Sequence, residues 1–141
     1  MKKLNPALVF FAMFVLLISS CKKDDTDNRD KFVGSYAMSE TWTLDGGGSG
    51  TDNYTITITK SDVNEKQILI NNLGNTVSVY GVQMNVTADV TGNNLAVGTQ
   101  SIALGDYSVT VTGTGSLNDK LLTINYVIVG QWQGQLSGFK Q

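Results

Sequence analysis

The chain has 141 residues, with ten basic and twelve acidic side chains, a net charge of −2, one cysteine and no histidine. Without histidine there is no Ser-His-Asp or Cys-His nucleophilic machinery, no ordinary zinc site and no imidazole pH switch. An acidic balance also argues against nucleic acid as a partner, because neutralising phosphates requires clustered Lys and Arg.

At the start of the chain, Lys2 and Lys3 precede an unbroken apolar run from Ala7 to Ile18. Twelve apolar residues fall short of the roughly 20 that a bilayer span needs, yet they suit the core of a secretory signal. Ile18, Ser19 and Ser20 then lead directly into Cys21, an arrangement that resembles the lipobox of bacterial lipoprotein signal peptides. The resemblance implies a signal peptide over residues 1 to 20, a diacylglycerol on the Cys21 thiol and cleavage just before it. Each buried methylene contributes about 0.8 kcal/mol, so several acyl chains hold a protein on a membrane where one does not. On this reading Cys21 is an anchor, and the membrane is a partner through its lipid. Removing Lys2 and Lys3 leaves eight of the ten basic residues against twelve acidic ones, a balance of −4, on 121 residues. That length supports one domain with its own core.

Residues 21 to 31 carry four charges of each sign and no further apolar residue after Cys21, which predicts a solvated tether. Within it, Lys23-Asp24-Asp25 resembles the short lysine-plus-acid export signal of Bacteroidota lipoproteins. That resemblance implies an outer-membrane protein displayed at the cell surface, with the periplasmic face as the alternative. Asp24, Asp25, Asp27 and Asp30 crowd together, but no loop glycine or closing glutamate follows at EF-hand spacing. Neither a metal nor a cofactor is expected.

From Phe32 to the end of the chain, residues 32 to 141, period-two alternation dominates. Tyr36, Met38, Trp42 and Leu44 fall on one face, and Tyr54, Ile56 and Ile58 alternate with threonines. Ile68 and Ile70 form a short strand, Val77 and Val79 begin another, and Met84 to Val90 alternate again. Strands follow at Leu95 and Val97, at Tyr107 to Val111, at Leu122 to Ile128, and at Trp132 to Leu136, giving eight or nine in all. Turns fall on Gly92-Asn93-Asn94 and Asn118-Asp119, residues that tolerate positive φ. The short connections favour antiparallel neighbours, and one apolar face per strand must be covered. The expected fold is therefore all-β: a small antiparallel up-and-down barrel of about eight strands, with a β-sandwich as the alternative.

Gly34-Ser35-Tyr36 opens the first strand, and there the chain resembles the lipocalin or calycin group, whose first strand carries Gly-x-Trp. Tyr36 stands where that family has tryptophan, and Lys140 is the nearest substitute for its packing arginine. The run from Phe32 through Thr59 and the Gly92-Asn93-Asn94-Leu95 turn are similar to small lipocalin-like lipoproteins of Bacteroidota. The resemblance implies a barrel and leaves the ligand open.

Glu40 is the most informative single residue, because strict alternation points it to the same side as Met38 and Trp42. An inward carboxylate has to be hydrogen-bonded or raised in pKa, either of which can mark a ligand anchor; a bulge would instead turn it outward. Tyr36, Met38, Trp42, Tyr54, Tyr126 and Trp132 are the other candidates for lining a pocket, or for filling the interior solid. The glycine-rich stretch from Asp45 to Asn53 lacks the lysine and helix of a phosphate loop and reads as a mobile hairpin connection. Threonine rows such as Thr55-Thr57-Thr59 and Thr110-Thr112-Thr114 belong on the outer wall. No catalytic residue is assigned, since pairing Glu40 with Asp89 or Asp106 aligns no two carboxylates. The expectation is a non-enzymatic binding or accessory module for a small apolar ligand or a surface protein. The alternative is a structural or partner-docking barrel with a solid core.

Overall fold

A computed structural model describes residues 27 to 141. Cys21, Lys23, Asp24 and Asp25, with the signal and export readings that rest on them, lie outside the described residues. Eight strands form one closed antiparallel up-and-down barrel, each paired with its neighbours in sequence and the last with the first. They are β1 (Gly34–Leu44), β2 (Ser49–Lys60), β3 (Gln67–Asn71), β4 (Val86–Thr91), β5 (Asn94–Leu104), β6 (Tyr107–Asn118), β7 (Leu121–Ile128) and β8 (Trp132–Lys140). The barrel predicted from alternation is thus the observed fold, and closure pairs the first strand with the last so that neither is left as a terminal edge. In β1, Tyr36, Met38 and Glu40 are buried while Ala37, Ser39 and Thr41 face solvent. Thr55, Thr57, Thr59 and Thr114 are exposed on the outer wall, with Thr110 and Thr112 half-buried there.

The two ends of the barrel differ. At the floor lie the start of β1, the 61–66 loop and the turns at 92–93 and 119–120; at the mouth lie the connections 45–48, 72–85, 105–106 and 129–131. Phe32 closes the floor, with no exposed surface, and its carbonyl accepts the buried Tyr36 hydroxyl at 2.9 Å. Residues 27 to 31, the described part of the stretch read as a tether over 21 to 31, turn back onto the barrel. Arg29 donates to the carbonyls of Ser61 at 3.3 Å and Asn64 at 3.2 Å, and pairs with Asp27 at 2.8 Å. Lys60 bridges Asp27 and Asp30 at 2.9 and 2.7 Å. Hydrogen bonds from Arg29, then from Lys60, hold the Asp27 carboxyl well below the usual carboxylate range. Guanidinium-to-carbonyl docking carries no apolar signature, which is why the stretch looks solvated in sequence. Lys140 reaches across to the Lys31 carbonyl at 3.3 Å and ties the last strand to this base.

Two further departures from simple alternation shape the mouth. Val77 and Val79 are not in a strand: a 3-10 turn (Leu73–Asn75) and a single helical turn, α1 (Val77–Tyr80), lie across the mouth as a lid. Asn72, Gly74 and Asn75 take positive φ values of 65°, 73° and 45°, so the backbone leaves the β region before Val77 can pair. Buried Leu73 and Met84 anchor the two ends of the lid, joined by a 3.0 Å backbone hydrogen bond.

In β5 the register slips between Val97 and Gln100, a bulge that moves the inward positions from odd to even numbers. β4 and β5 pair only from Asp89 to Thr91. Above that, the Gln100 carboxamide stands in for a strand, accepting from Thr87 N at 3.1 Å and donating to Thr87 O at 2.9 Å. Gln100→Ala is expected to lower stability by about 1–2 kcal/mol, the net contribution of two such bonds. Amide exchange at Thr87 should quicken first, and unchanged protection there would refute the stand-in role.

Candidate functional site

The mouth holds a buried polar cluster. Glu40, 1% exposed, is the only buried charged side chain of the described residues. Its Oε2 accepts the Tyr54 hydroxyl at 2.8 Å and its Oε1 accepts the Tyr126 hydroxyl at 2.5 Å. Each hydroxyl is itself oriented by a donor: Gly74 N–H to Tyr54 at 3.1 Å, and Trp132 Nε1–H to Tyr126 at 2.9 Å. Two short relays, one from the lid and one from β8, therefore converge on one carboxylate.

Burial pushes the Glu40 carboxyl above its ordinary value and the charge of Asp52 adds to this, while the Tyr126 and Tyr54 hydroxyls pull the other way. Both tyrosines are pushed well above the usual phenol range, first by burial and then by the Glu40 charge, so they remain donors. Asp52 is the direct cross-strand partner of Glu40 and is half-buried on the same face. Its Oδ2 accepts Trp42 Nε1–H at 3.1 Å. Asp89 and Asp106 lie elsewhere, near the floor half of β4 and in the β5–β6 turn.

Beside this cluster is a cavity of about 310 Å³. Glu40 and Asp52 form its polar side, the Trp42 and Trp132 side chains line it, and Ser78 and Val79 of the lid cover it. Tyr80 pins the lid, stacking on Trp132 at 6.2 Å and donating to Gln131 Oε1 at 2.6 Å. Two wider grooves, of about 500 and 550 Å³, lie on the outer wall. The mouth cavity is smaller than these two, but unlike them it adjoins the buried carboxylate.

Of the candidates read from sequence, Glu40, Trp42, Tyr54, Tyr126 and Trp132 come together here. Met38, 2% exposed, and Tyr36, fully buried, belong to the interior below and the floor. Asp52, Gly74, Ser78 and Val79 were not legible as site residues. Two glycines make room for the aromatic groups. A Cβ on Gly134 would lie 2.3 Å from both Glu40 Oε1 and the Tyr126 ring, and one on Gly50 would lie 2.4 Å from the Trp42 ring. Gly50 belongs to the stretch read as a mobile connection, but β2 begins at Ser49 and only Asp45 to Gly48 form the turn. An inward glycine opposite a large aromatic is the signal that was available.

No protein-family model and no curated protein matches this chain. Among solved structures it is similar to a redesigned β-barrel, with a TM-score of 0.50 and 11% sequence identity over 82% of this chain and 96% of that one. The likeness is one of fold: a small closed antiparallel barrel.

Proposed function

We propose that this protein is a non-enzymatic binding module whose mouth cavity takes one small, largely apolar ligand. The observation that carries this reading is the cavity beside Glu40, lined by two tryptophan side chains and covered by the lid. At about 310 Å³ it falls at the lower end of the range for small-molecule pockets. Catalysis is disfavoured because both Glu40 oxygens already accept oriented hydroxyls, which makes the carboxylate a fixed acceptor rather than a free base. The sequence resemblance supports a lipid anchor at Cys21 and display at the outer membrane, probed by acyl-chain mass spectrometry and by protease treatment of intact cells.

Binding is tested by titrating the folded protein with N-phenyl-1-naphthylamine, a neutral apolar fluorophore. Saturable energy transfer from Trp42 and Trp132 is expected, and Trp42→Ala, which removes one wall of the cavity, should weaken the dye at least fivefold as read by the remaining transfer from Trp132. Transfer that never saturates, or an affinity that Trp42→Ala leaves unchanged, would sink the reading. A second reading, docking of a surface protein, draws on the exposed apolar side chains of Val79, Tyr107 and Val129 around the mouth, 67%, 65% and 60% exposed. It predicts that Tyr107→Ser weakens partner capture while leaving the dye titration unchanged.

A further inference from the structure

We infer that the ligand of the mouth cavity is a small organic cation, an ammonium group carried on an apolar or aromatic body. This rests on the binding reading above and names its ligand class.

The first ground is the pairing of Glu40 with Asp52. They stand opposite each other across β1 and β2 and both border the cavity. Like charges in directly opposed positions are destabilising, and a buried carboxylate is rarely left without a cation. The second ground is the charge map. All six cationic side chains among the described residues, Arg29, Lys31, Lys60, Lys66, Lys120 and Lys140, sit at the floor. The mouth half holds Glu40, Asp45, Asp52 and Asp106 and, among the described residues, no cation. The ion pairs of the described residues, Arg29 and Lys60 with Asp27 and Asp30, are likewise at the floor. A one-signed field focused on an opening with low-dielectric walls draws ligands of the opposite sign.

The third ground is the chemistry of the walls. Carboxylates only accept, and each oxygen has lone pairs beyond those used by Tyr54, Tyr126 and Trp42. An ammonium only donates, so it complements them, whereas the two carboxylates would repel a carboxylate or phosphate ligand. The Trp42 and Trp132 side chains line the cavity, and indole is the aromatic group that attracts cations most strongly and also packs an apolar body.

The test uses the full chain and three probes of matched size: 2-phenylethylamine, 2-phenylethanol and 3-phenylpropionate. Calorimetric titration is paired with Trp fluorescence, at 20 and 300 mM NaCl. The amine is expected to bind at least tenfold tighter than the alcohol, with an affinity that falls as salt rises, and the carboxylate should not saturate. Asp52→Asn should narrow the preference for the amine over the alcohol at least fivefold. The wild-type probe series and its salt dependence decide the matter even if that variant does not fold. Equal binding of amine and alcohol, or binding of the carboxylate, overturns the cation. If the amine gains nothing while N-phenyl-1-naphthylamine still binds, the cation falls and the binding module stands. If neither dye nor probes reach the tryptophans, both fall.

Discussion

Phe32→Ala is expected to remove about 3–5 kcal/mol of stability, the range for emptying a fully buried aromatic site. A small domain has only about 5–15 kcal/mol in total, so this one truncation should bring the barrel close to unfolding. The ring is not isolated packing. Phe32 N–H donates to Arg29 O at 2.9 Å and its carbonyl receives the Tyr36 hydroxyl, so side chain and backbone hold the base together. Urea titration should show a lower midpoint with the slope preserved. Deleting residues through Lys31 should destabilise the protein as well, since it removes Arg29 from the Ser61 and Asn64 carbonyls. A loss below about 1 kcal/mol for Phe32→Ala would mean that the ring is not the plug of this barrel.

Tyr126→Phe should have the second largest effect and a pH signature. The variant strips Glu40 Oε1 of its donor and leaves Trp132 Nε1 without its acceptor, for an expected cost of about 3 kcal/mol at neutral pH. Because burial raises the folded value of Glu40 above its ordinary 4.5, the unfolded chain ionises first as pH rises. The contribution of Glu40 is therefore fully present below that ordinary value and is lost as pH rises through the folded one. Removing a hydroxyl that pulls the carboxyl down widens this window upward, so Tyr126→Phe should cost more at pH 8 than at pH 4. Glu40→Gln removes the titrating group and should flatten this part of the stability profile. A Tyr126→Phe cost that is the same at both pH values, or a Glu40→Gln profile with an unchanged slope, would show that Glu40 does not titrate as described.

Alternation made the barrel legible because every strand except β5 keeps one parity from end to end. The inward turn of Glu40 followed from the same rule, since β1 pairs without a bulge from Gly34 to Leu44. Parity failed at Gly98-Thr99, where neither residue is bulky enough to reveal which face it occupies. It failed again at Val77 and Val79, whose β-branched side chains suit a strand but whose flanking Asn and Gly residues bend the backbone into a lid. The tyrosine relay was partly legible. Tyr54 and Tyr126 were candidates by alternation, yet their meeting at Glu40 depends on barrel closure, which brings β2 and β7 to opposite sides of the same carboxylate. Asp52 is hidden in the sequence because its neighbours Gly50, Thr51 and Asn53 resemble a turn, whereas pairing with β1 makes them the upper part of a strand.

The plugged floor and the lidded mouth have a consequence for exchange with the surroundings. Cys21 precedes Asp27 by six positions, and six residues span at most about 20 Å even when fully drawn out. If Cys21 carries the proposed acyl chains, the floor would be the end the anchor holds near the lipid, and the mouth would lie at the far end of the wall, roughly 25–30 Å away for eleven-residue strands at ordinary tilt. A ligand of the proposed kind would then enter from water and not from the bilayer.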